Sequence, residues 1–321
     1  MQFDDKDKVI IIDFGSQVTK LIARRIRELG VYSEIITPIE LTKIKKYRYI
    51  KGIIFSGGPS TVTGKRFQSV PSDIFKKNIP ILGICYGLQL IAKIFGGKIK
   101  PSKKRREFGR AFLIHRKKSP LTKNFLNSRK SVWMSHEDAV VKLPTNFKTI
   151  ASTKNSKLTI IENSEKRIYG VQFHPEVTHT DQGSQIFKNF LFLICKIKSK
   201  WNVVSQKKKL LKEIRNTVKK DKVICALSGG VDSSVVALLI NQAIKKNLIC
   251  IMVDTGLMRK NEFKYTYKIF KNKYNLNVKL IDSSYLFLKK LKNISNPEKK
   301  RKIIGNLFIK VFEKEIGRAH V

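Results

Sequence analysis

Apolar runs alternate with stretches of helical spacing through the first two thirds of the chain. Continuous runs of β-branched residues favour strands that are buried on both faces, and five such runs are Val9–Phe14, Ile53–Ser56, Ile79–Ile84, Thr159–Glu162 and Tyr169–Phe173. Helical spacing follows the first and third runs, at Gln17–Leu29 and Gly87–Phe95, and a glycine comes directly after each helix. This alternation predicts a largely parallel sheet wrapped by helices.

The strand–helix alternation begins again after Ser184–Lys196, which resembles a closing helix, and the polar stretch Lys196–Lys209, which we interpret as a linker. The predicted strands of this second part are Val223–Leu227, Leu248–Val253 and Val278–Ile281, and its predicted helices are Ser233–Ala243 and Asn261–Tyr274. The sequence therefore predicts two consecutive α/β domains, residues 1–199 and 200–321.

Composition narrows the class of protein. The chain has 321 residues, of which 42% are hydrophobic, and this excludes a protein that is intrinsically disordered along its whole length. The formal charge is +42, with a net +23 over residues 1–199 and +19 over residues 200–321. Because the lysines are spread over both parts without an arginine-rich block or a zinc-finger spacing, we expect solvated basic faces and no specific nucleic-acid site.

Membrane and disulfide signals are weak. No apolar run reaches the roughly 18 residues that a spanning helix needs, and the acidic start MQFDDKDK lacks the pattern of a signal peptide. The four cysteines, Cys85, Cys195, Cys225 and Cys250, lie far apart without a CxxC pair. We therefore expect a reduced, cytoplasmic protein with no membrane contact and no disulfide framework.

A cysteine and a histidine follow two of the predicted strands. Cys85 lies between a buried strand and a helix start, where a tight turn exposes a side chain and the helix N-terminus favours the thiolate. His174 follows another strand and is placed to act as general base, with Glu176 orienting the imidazole. The loop Ser56–Pro59 supplies backbone N–H groups for an oxyanion.

Together these segments resemble the class I (triad) glutamine amidotransferases, in which glutamine is hydrolysed to glutamate and ammonia. The motifs that carry the resemblance are Gly83–Gly87, Ser56–Pro59 and the segment from Val171 to Thr180. It implies that Cys85 is the nucleophile, His174 the base and Glu176 its partner. It also implies an oxyanion hole from Gly58 and Tyr86, and glutamine contacts from Gln89, Ser135 and His136.

A glycine- and serine-rich loop follows the strand Val223–Leu227. Its glycines allow a tight turn, and its hydroxyls and the following helix N-terminus favour a phosphate. The loop resembles the pyrophosphate-binding loop of ATP pyrophosphatases, and its residues are Ser228, Gly229, Gly230, Val231, Asp232, Ser233 and Ser234. The resemblance implies that ATP binds here as a substrate, with Mg²⁺ held by Asp232 through the phosphates. Val253, at the next strand end, would flank the nucleotide.

The order of the two motif sets resembles the glutamine-hydrolysing GMP synthase family. That resemblance implies a flavodoxin-like open sheet followed by a partial adenine-nucleotide α-hydrolase-like (Rossmann-like) ATP pyrophosphatase domain. It also implies that ATP adenylates XMP and that ammonia displaces AMP to give GMP. Arg301, in Lys300–Gly305, is a candidate contact of XMP, with an ordinary basic helix face as the alternative.

Family members continue beyond this chain, so we expect a truncated copy without the XMP-binding and homodimerisation region, in which full synthase activity is in doubt. Three other interpretations stay open at this point. They are a remnant with glutaminase activity only, another ATP-dependent glutamine amidotransferase, and a basic RNA-binding protein on an old fold.

Overall fold

The computed structural model describes residues 7–64, 67–101, 107–127, 129–198 and 201–319. The chain divides into two compact units, Met1–Asn202 and Val203–Val321. The boundary predicted between residues 199 and 200 lies outside the described residues. Both units mix strands and helices, and the α/β prediction is confirmed.

The described part of the first unit contains the following elements. Its strands are β1 (Lys8–Ile12), β2 (Tyr32–Ile36), β3 (Ile50–Phe55), β4 (Ile81–Ile84), β5 (Lys98–Pro101), β6 (Glu107–Phe112), β7 (Ile114–His115), β8 (Ser131–His136), β9 (Asp138–Lys142), β10 (Lys148–Ser152), β11 (Ile160–Asn163) and β12 (Ile168–Val171). Its α-helices are α1 (Thr19–Glu28), α2 (Pro38–Leu41), α3 (Tyr86–Ile94) and α4 (Ser184–Lys188), and α4 continues as a π-helical segment, Asn189–Ile194.

The main sheet of this unit has the order β2-β1-β3-β4-β12-β11-β10-β7. Its strands are parallel from β2 to β12 and antiparallel from β12 to β7. The prediction of a largely parallel sheet is confirmed for the five strands from β2 to β12, and the last three strands, β11, β10 and β7, depart from it. The physical reason is the short connection between β11 and β12, residues 164–167, because parallel neighbours need a crossover of a dozen or more residues.

The sheet is covered on both faces. Along β1, Val9 and Ile11 belong to one apolar cluster, and Ile10 and Ile12 belong to the other. Helices α1 and α4 contribute to the first cluster, and α3 contributes to the second. Because β3, β4 and β12 are parallel neighbours, their carboxyl ends meet at one edge of the sheet.

The second unit contains a three-stranded parallel sheet in its described residues, with the order β13-β14-β15. Its strands are β13 (Val223–Ala226), β14 (Leu248–Asp254) and β15 (Val278–Asp282), and its helices are α5 (Val203–Val218), α6 (Val231–Ile244), α7 (Glu262–Lys268, continuing as the π-helical segment Ile269–Lys273), α8 (Ser284–Leu291) and α9 (Pro297–Ala319).

Helix α5 corrects the predicted linker, because it begins at Val203, inside Lys196–Lys209. Lysine is a good helix former, so a lysine-rich stretch continues a helix without difficulty. The buried side chain of Leu211 gives the helix a side to pack. Polarity alone was therefore a poor signal for a linker.

Candidate active site

Cys85 lies in the sharp turn between β4 and α3. Its backbone has φ 52° and ψ −104°, a left-handed region that costs energy for a residue other than glycine. The turn is held by hydrogen bonds from Cys85 N to Val171 O (2.8 Å) and from Gly87 N to Ser56 O (3.1 Å). This is the strand–turn–helix geometry that presents a nucleophile above a sheet.

Two glycines allow α3 to start against the sheet. A Cβ at Gly83 would lie 2.5 Å from Gly87 C, and a Cβ at Gly87 would overlap the carbonyl oxygen of Phe55. Any larger residue at either position would push the helix away from β3 and β4. The glycines therefore fix where Cys85 stands relative to the strand ends.

His174 and Glu176 follow β12, the strand beside β4. His174 Nδ1 lies 2.7 Å from Glu176 Oε1, and both side chains are buried. The backbone of His174 is fixed by a bond from its N–H to Trp133 O (3.0 Å) and by one from Thr180 Oγ1 to its carbonyl (2.7 Å). The imidazole therefore has a set orientation, with Nε2 left for proton exchange.

The charge state of His174 is set by two opposing effects. Burial of the ring lowers its pKa, but hydrogen bonds with Cys85 and Glu176, together with the charge of Glu176, raise the pKa to about 10. Glu176 Oε2 is buried and has no hydrogen-bond partner among the described residues. A protonated imidazole compensates that buried carboxylate, so the site favours an imidazolium beside the Cys85 sulfur.

Gln172 is a site residue that the sequence analysis missed. Its Nε2 lies 3.7 Å from Cys85 Sγ, and its Oε1 lies 3.5 Å from Gln89 Nε2. Gln89 Nε2 also donates to Asp138 O (2.8 Å), and both glutamine side chains are buried. The sequence feature that could have identified Gln172 is its position at the end of a buried strand, two residues before His174. A polar side chain that is buried there needs a hydrogen-bond partner.

Two cavities meet at Cys85. One, of about 350 Å³, is lined by Gly15, Ser16, Gln17, Val18, Gly58, Pro59, Cys85, Trp133, Ser135, His174 and Val177. The other, of about 510 Å³, has the glutamine-site candidates on its wall and is lined by Gly58, Pro59, Ser60, Thr61, Thr63, Cys85, Tyr86, Gln89, Pro101, Phe108, Ser135, His136, Glu137 and Asp138.

The oxyanion candidates Gly58 and Tyr86 line the larger cavity together with Cys85. A Cβ at Gly58 would lie 2.7 Å from Phe14 O, so only glycine fits there. The N–H of Tyr86 belongs to the first turn of α3, where a helix has no internal acceptor. Gly57 lies close to the ring of His174, because a Cβ added at Gly57 would lie 3.1 Å from His174 Cε1.

Ser135 and His136 reach the site in different ways. The carbonyl oxygen of Ser135 lies 3.5 Å from Cys85 Sγ. The His136 ring is buried: Nδ1 donates to Asp138 O (3.0 Å), and Nε2 lies 3.3 Å from Glu107 Oε2. Its imidazole is therefore part of a buried polar network that fixes the end of β8, and Glu107 is a second residue that the sequence analysis missed.

The phosphate-loop candidates form one tight turn between β13 and α6. Gly230 caps α6, and Gly229 has φ +84°. Three hydroxyls crosslink the turn: Ser228 Oγ lies 2.9 Å from Ser233 Oγ, and Ser234 Oγ donates to Gly230 O (2.6 Å). Gly230 N donates to Ser228 Oγ (3.3 Å), and the turn is exposed from Ser228 to Asp232, so the N-terminus of α6 is open to an anion.

The remaining candidates differ in their surroundings. Asp232 is exposed in the first turn of α6, and Val253 is buried near the end of β14. Arg301 lies on the exposed side of α9 and is paired with Glu298 (2.9 Å). Within the described ranges there is no cluster of three or more metal-ligating side chains, and no helix there is long and apolar enough to cross a membrane. A lone carboxylate fits Mg²⁺ that is shared with phosphates.

Family comparisons divide the chain in the same order as its two motif sets. Residues 10–194 match the family of class-I glutamine amidotransferases, and residues 203–307 match the family described as NAD synthase. The first match covers more than half of the chain.

Individual relatives extend this similarity. The chain is 48% identical over 306 residues to a glutamine-hydrolysing GMP synthase of Borrelia garinii subsp. bavariensis, and 49% identical over 310 residues to one of Treponema denticola. These matches cover 95% and 96% of this chain, but the chain spans only 57% and 58% of those relatives. A crystal structure described as that of a GMP synthase subunit from Thermoplasma acidophilum is 32% identical, with a TM-score of 0.52, and matches 60% of this chain and 96% of its own.

Proposed function

Since this chain belongs to the class-I glutamine amidotransferase family, we propose that its first unit hydrolyses glutamine and that its second unit uses ATP to aminate XMP to GMP. The observation that supports the glutaminase half most strongly is the buried pair of His174 and Glu176 at 2.7 Å beside the strained turn of Cys85. The relatives that match almost the whole chain support the synthase half.

In the first step, Cys85 Sγ attacks the side-chain amide carbon of glutamine. His174 Nε2 holds the thiol proton, since Nδ1 is engaged by Glu176. The N–H groups of Gly58 and Tyr86 stabilise the developing oxyanion. When the tetrahedral intermediate collapses, His174 gives its proton to the leaving nitrogen, and ammonia departs from a thioester on Cys85.

In the second step, water attacks the thioester. His174 takes a proton from the water, the same oxyanion hole stabilises the second tetrahedral intermediate, and the C–S bond breaks. Glutamate leaves, and Cys85 and His174 return to their starting states. Gln89, Ser135 and His136, on the wall of the larger cavity, are the proposed contacts for the rest of the glutamine molecule.

In the second unit, the proposed ligand of the loop Ser228–Ser234 is the pyrophosphate part of ATP. The exposed N–H groups and hydroxyls of this turn bind phosphate oxygens, and Val253 flanks the nucleoside. Asp232 would hold Mg²⁺ against the phosphates, where the ion neutralises their charge. The C2 oxygen of XMP attacks the α-phosphate of ATP and pyrophosphate leaves, with Arg301 as a candidate contact of XMP. Ammonia then displaces AMP to give GMP.

An ammonia-release assay tests the glutaminase half. The wild-type chain should release glutamate and ammonia from glutamine in equal amounts, and Cys85→Ala should abolish the release. Cys195→Ala is the matched control, because Cys195 is also buried in the first unit but lies outside both cavities at Cys85. Full activity in Cys85→Ala would refute the assignment of the nucleophile.

A product assay tests the synthase half. The chain is incubated with XMP, ATP, Mg²⁺ and glutamine, and GMP and AMP are measured by chromatography. Formation of both supports the full proposal, whereas glutamate release without GMP restricts the activity of this chain to glutamine hydrolysis. The cytoplasmic location predicted from the cysteine pattern stays a prediction.

A further inference from the structure

Two of the four cysteines, distant in sequence, are register partners in the second unit. Cys225 in β13 pairs with Cys250 in the parallel strand β14. Both belong to the same apolar cluster, together with Leu227, Ala237 and Met252, so both side chains lie on one face of the sheet. Adjacent strands lie about 4.8 Å apart, inside the roughly 4.4–6.8 Å range of Cα separations that a disulfide bridges.

The two thiols differ in exposure and reactivity. Cys225 is 9% exposed, whereas Cys250 is fully buried. A hydrogen bond between the two thiol groups lowers the pKa of Cys225, against the effect of burial, and raises the pKa of Cys250. A thiolate that reaches the surface is the form that oxidants attack. Cys225 is therefore the attacking member of the pair and Cys250 the resolving one.

The other two cysteines lack the features of the Cys225–Cys250 pair, and Cys195 is the closer comparison. It is also nearly buried, with 8% exposure, but burial raises its pKa strongly, and it lies in the first unit. Cys85, also in the first unit, is engaged with His174. The structure has all four cysteines in the free form.

We propose that Cys225 and Cys250 form a reversible dithiol–disulfide site, in which a peroxide oxidises the pair. The Cys225 thiolate attacks one oxygen of hydrogen peroxide, the O–O bond breaks, and Cys225 becomes a sulfenic acid as hydroxide leaves. The Cys250 thiol then attacks the Cys225 sulfur, and the S–O bond breaks with loss of water. In total, two thiols and one peroxide give one disulfide and two waters, and a dithiol reductant reverses the change.

The site lies at the base of the phosphate loop. Cys225 precedes Ser228 by three residues, and Leu227 N donates to Ile251 O (2.9 Å) directly after the paired cysteines. A disulfide would join β13 and β14 covalently at the point from which the loop starts. Oxidation of the cysteine pair would therefore take place next to the loop Ser228–Ser234.

Peptide mapping of the full chain tests this proposal. The Cys85→Ala chain is treated with hydrogen peroxide at neutral pH, free thiols are alkylated in denaturant, and digested peptides are analysed by mass spectrometry. We expect a peptide pair linked through Cys225 and Cys250, lost after treatment with dithiothreitol, while Cys195 stays alkylated. In Cys250→Ser, Cys225 should instead be trapped as a sulfenic acid by dimedone.

Two results would overturn the proposal. One is full alkylation of Cys250 after peroxide has consumed Cys225, because the resolving step would then be absent. The other is a disulfide that joins Cys225 to Cys195, which would point to exchange in unfolded chains. Both readouts use wild-type residues of the second unit, so they are independent of glutamine hydrolysis.

Discussion

At the scale of single residues, Cys85 carries a backbone strain that the rest of the turn maintains. A backbone conformation as sparsely populated as that of Cys85 costs about 1–3 kcal/mol. The bonds to Val171 O and Ser56 O hold the turn in place. Strand-end position and residue type predict Cys85, His174 and Glu176 as a set, and their catalytic roles stay predictions. The sequence marks Gln172 only as a polar residue at a buried strand end, and it does not reveal the partners of Gln172 and Glu107, because those partners are distant in the chain.

The pKa of His174 gives a pH prediction. Glu176→Gln removes the carboxylate charge and one charge-assisted hydrogen bond, so the pKa of His174 should fall from about 10. The imidazolium would then be lost at lower pH, and the alkaline decline of glutaminase activity should move in the acidic direction. Glu165→Gln, an exposed change in the same unit, is the control and should leave the pH profile unchanged.

The raised pKa of His174 also predicts how the stability of the folded chain depends on pH. The folded pKa lies above the ordinary value of 6.5, so the unfolded chain loses this proton first as the pH rises. The contribution of protonated His174 to the free energy of unfolding is complete below about pH 6.5, and it is lost as the pH rises through about 10. Denaturant unfolding should therefore show a stability difference between wild type and His174→Gln that shrinks from neutral to alkaline pH. A difference that grows would contradict this.

Gln172 is expected to support the Cys85 sulfur. Gln172→Leu removes the amide that lies 3.7 Å from Sγ and leaves Gln89 with one partner fewer. A hydrogen bond to a charged group contributes about 1.5–3 kcal/mol, so kcat for glutamine hydrolysis should fall roughly ten- to a hundredfold. The rate of Cys85 alkylation by iodoacetamide, measured against pH, should shift as well. Gln242→Leu, at an exposed position of α6, should change neither quantity.

At the scale of elements, the accuracy of sequence prediction depended on burial. Continuous apolar runs predicted β1, β3, β4, β12, β13 and β14 close to their observed bounds. Strands β6 and β8 pair with each other in a separate two-stranded sheet and mix exposed with buried residues, so no continuous run marks them. The pairing of Cys225 with Cys250 depends on strand register, which residue spacing does not disclose.

Gly87 tests the packing of α3 on the sheet. Gly87→Ala places a methyl group against the carbonyl oxygen of Phe55, so the helix start must shift. We expect a loss of about 1–3 kcal/mol in unfolding free energy and a large loss of glutaminase activity. Thermal unfolding followed by circular dichroism measures the first effect, and ammonia release the second.

Gly305 is the matched control for this substitution. It is exposed in α9, and a Cβ there would meet no atom within 4 Å. Gly305→Ala should therefore stabilise its helix by about 0.5–1 kcal/mol. If both alanine variants behaved alike, the tight approach of α3 to β3 would not explain the glycine at position 87.

Gly229 tests the phosphate loop. Gly229→Ala forces a left-handed conformation on alanine and brings its Cβ to 2.8 Å from Thr266 Cγ2. We expect the affinity for ATP with Mg²⁺ to fall about tenfold, as measured by calorimetry, because the strain costs about 1–2 kcal/mol. Adding Thr266→Ala should restore part of the affinity by removing the steric contact. Equal affinity in all three proteins would mean that ATP binds elsewhere.

At the scale of the whole molecule, the chain is two units that carry separate chemistry. The net charges of +23 and +19 are both large, so charge does not distinguish one part from the other. The motifs distinguish them: the turn at Cys85 in the first unit, proposed to be nucleophilic, and the turn before α6 in the second, proposed to bind an anion. A positive field of this kind would also draw in anionic nucleotides.

Covalent capture of the nucleophile tests the central claim most directly. The chain is incubated with a diazoketone analogue of glutamine, with and without XMP, ATP and Mg²⁺, and its cysteine peptides are weighed by mass spectrometry. We predict one adduct, on Cys85, that excess glutamine suppresses and that Glu176→Gln slows. An adduct distributed over Cys195, Cys225 and Cys250, or one that glutamine fails to suppress, would contradict the assignment of this site to glutamine hydrolysis.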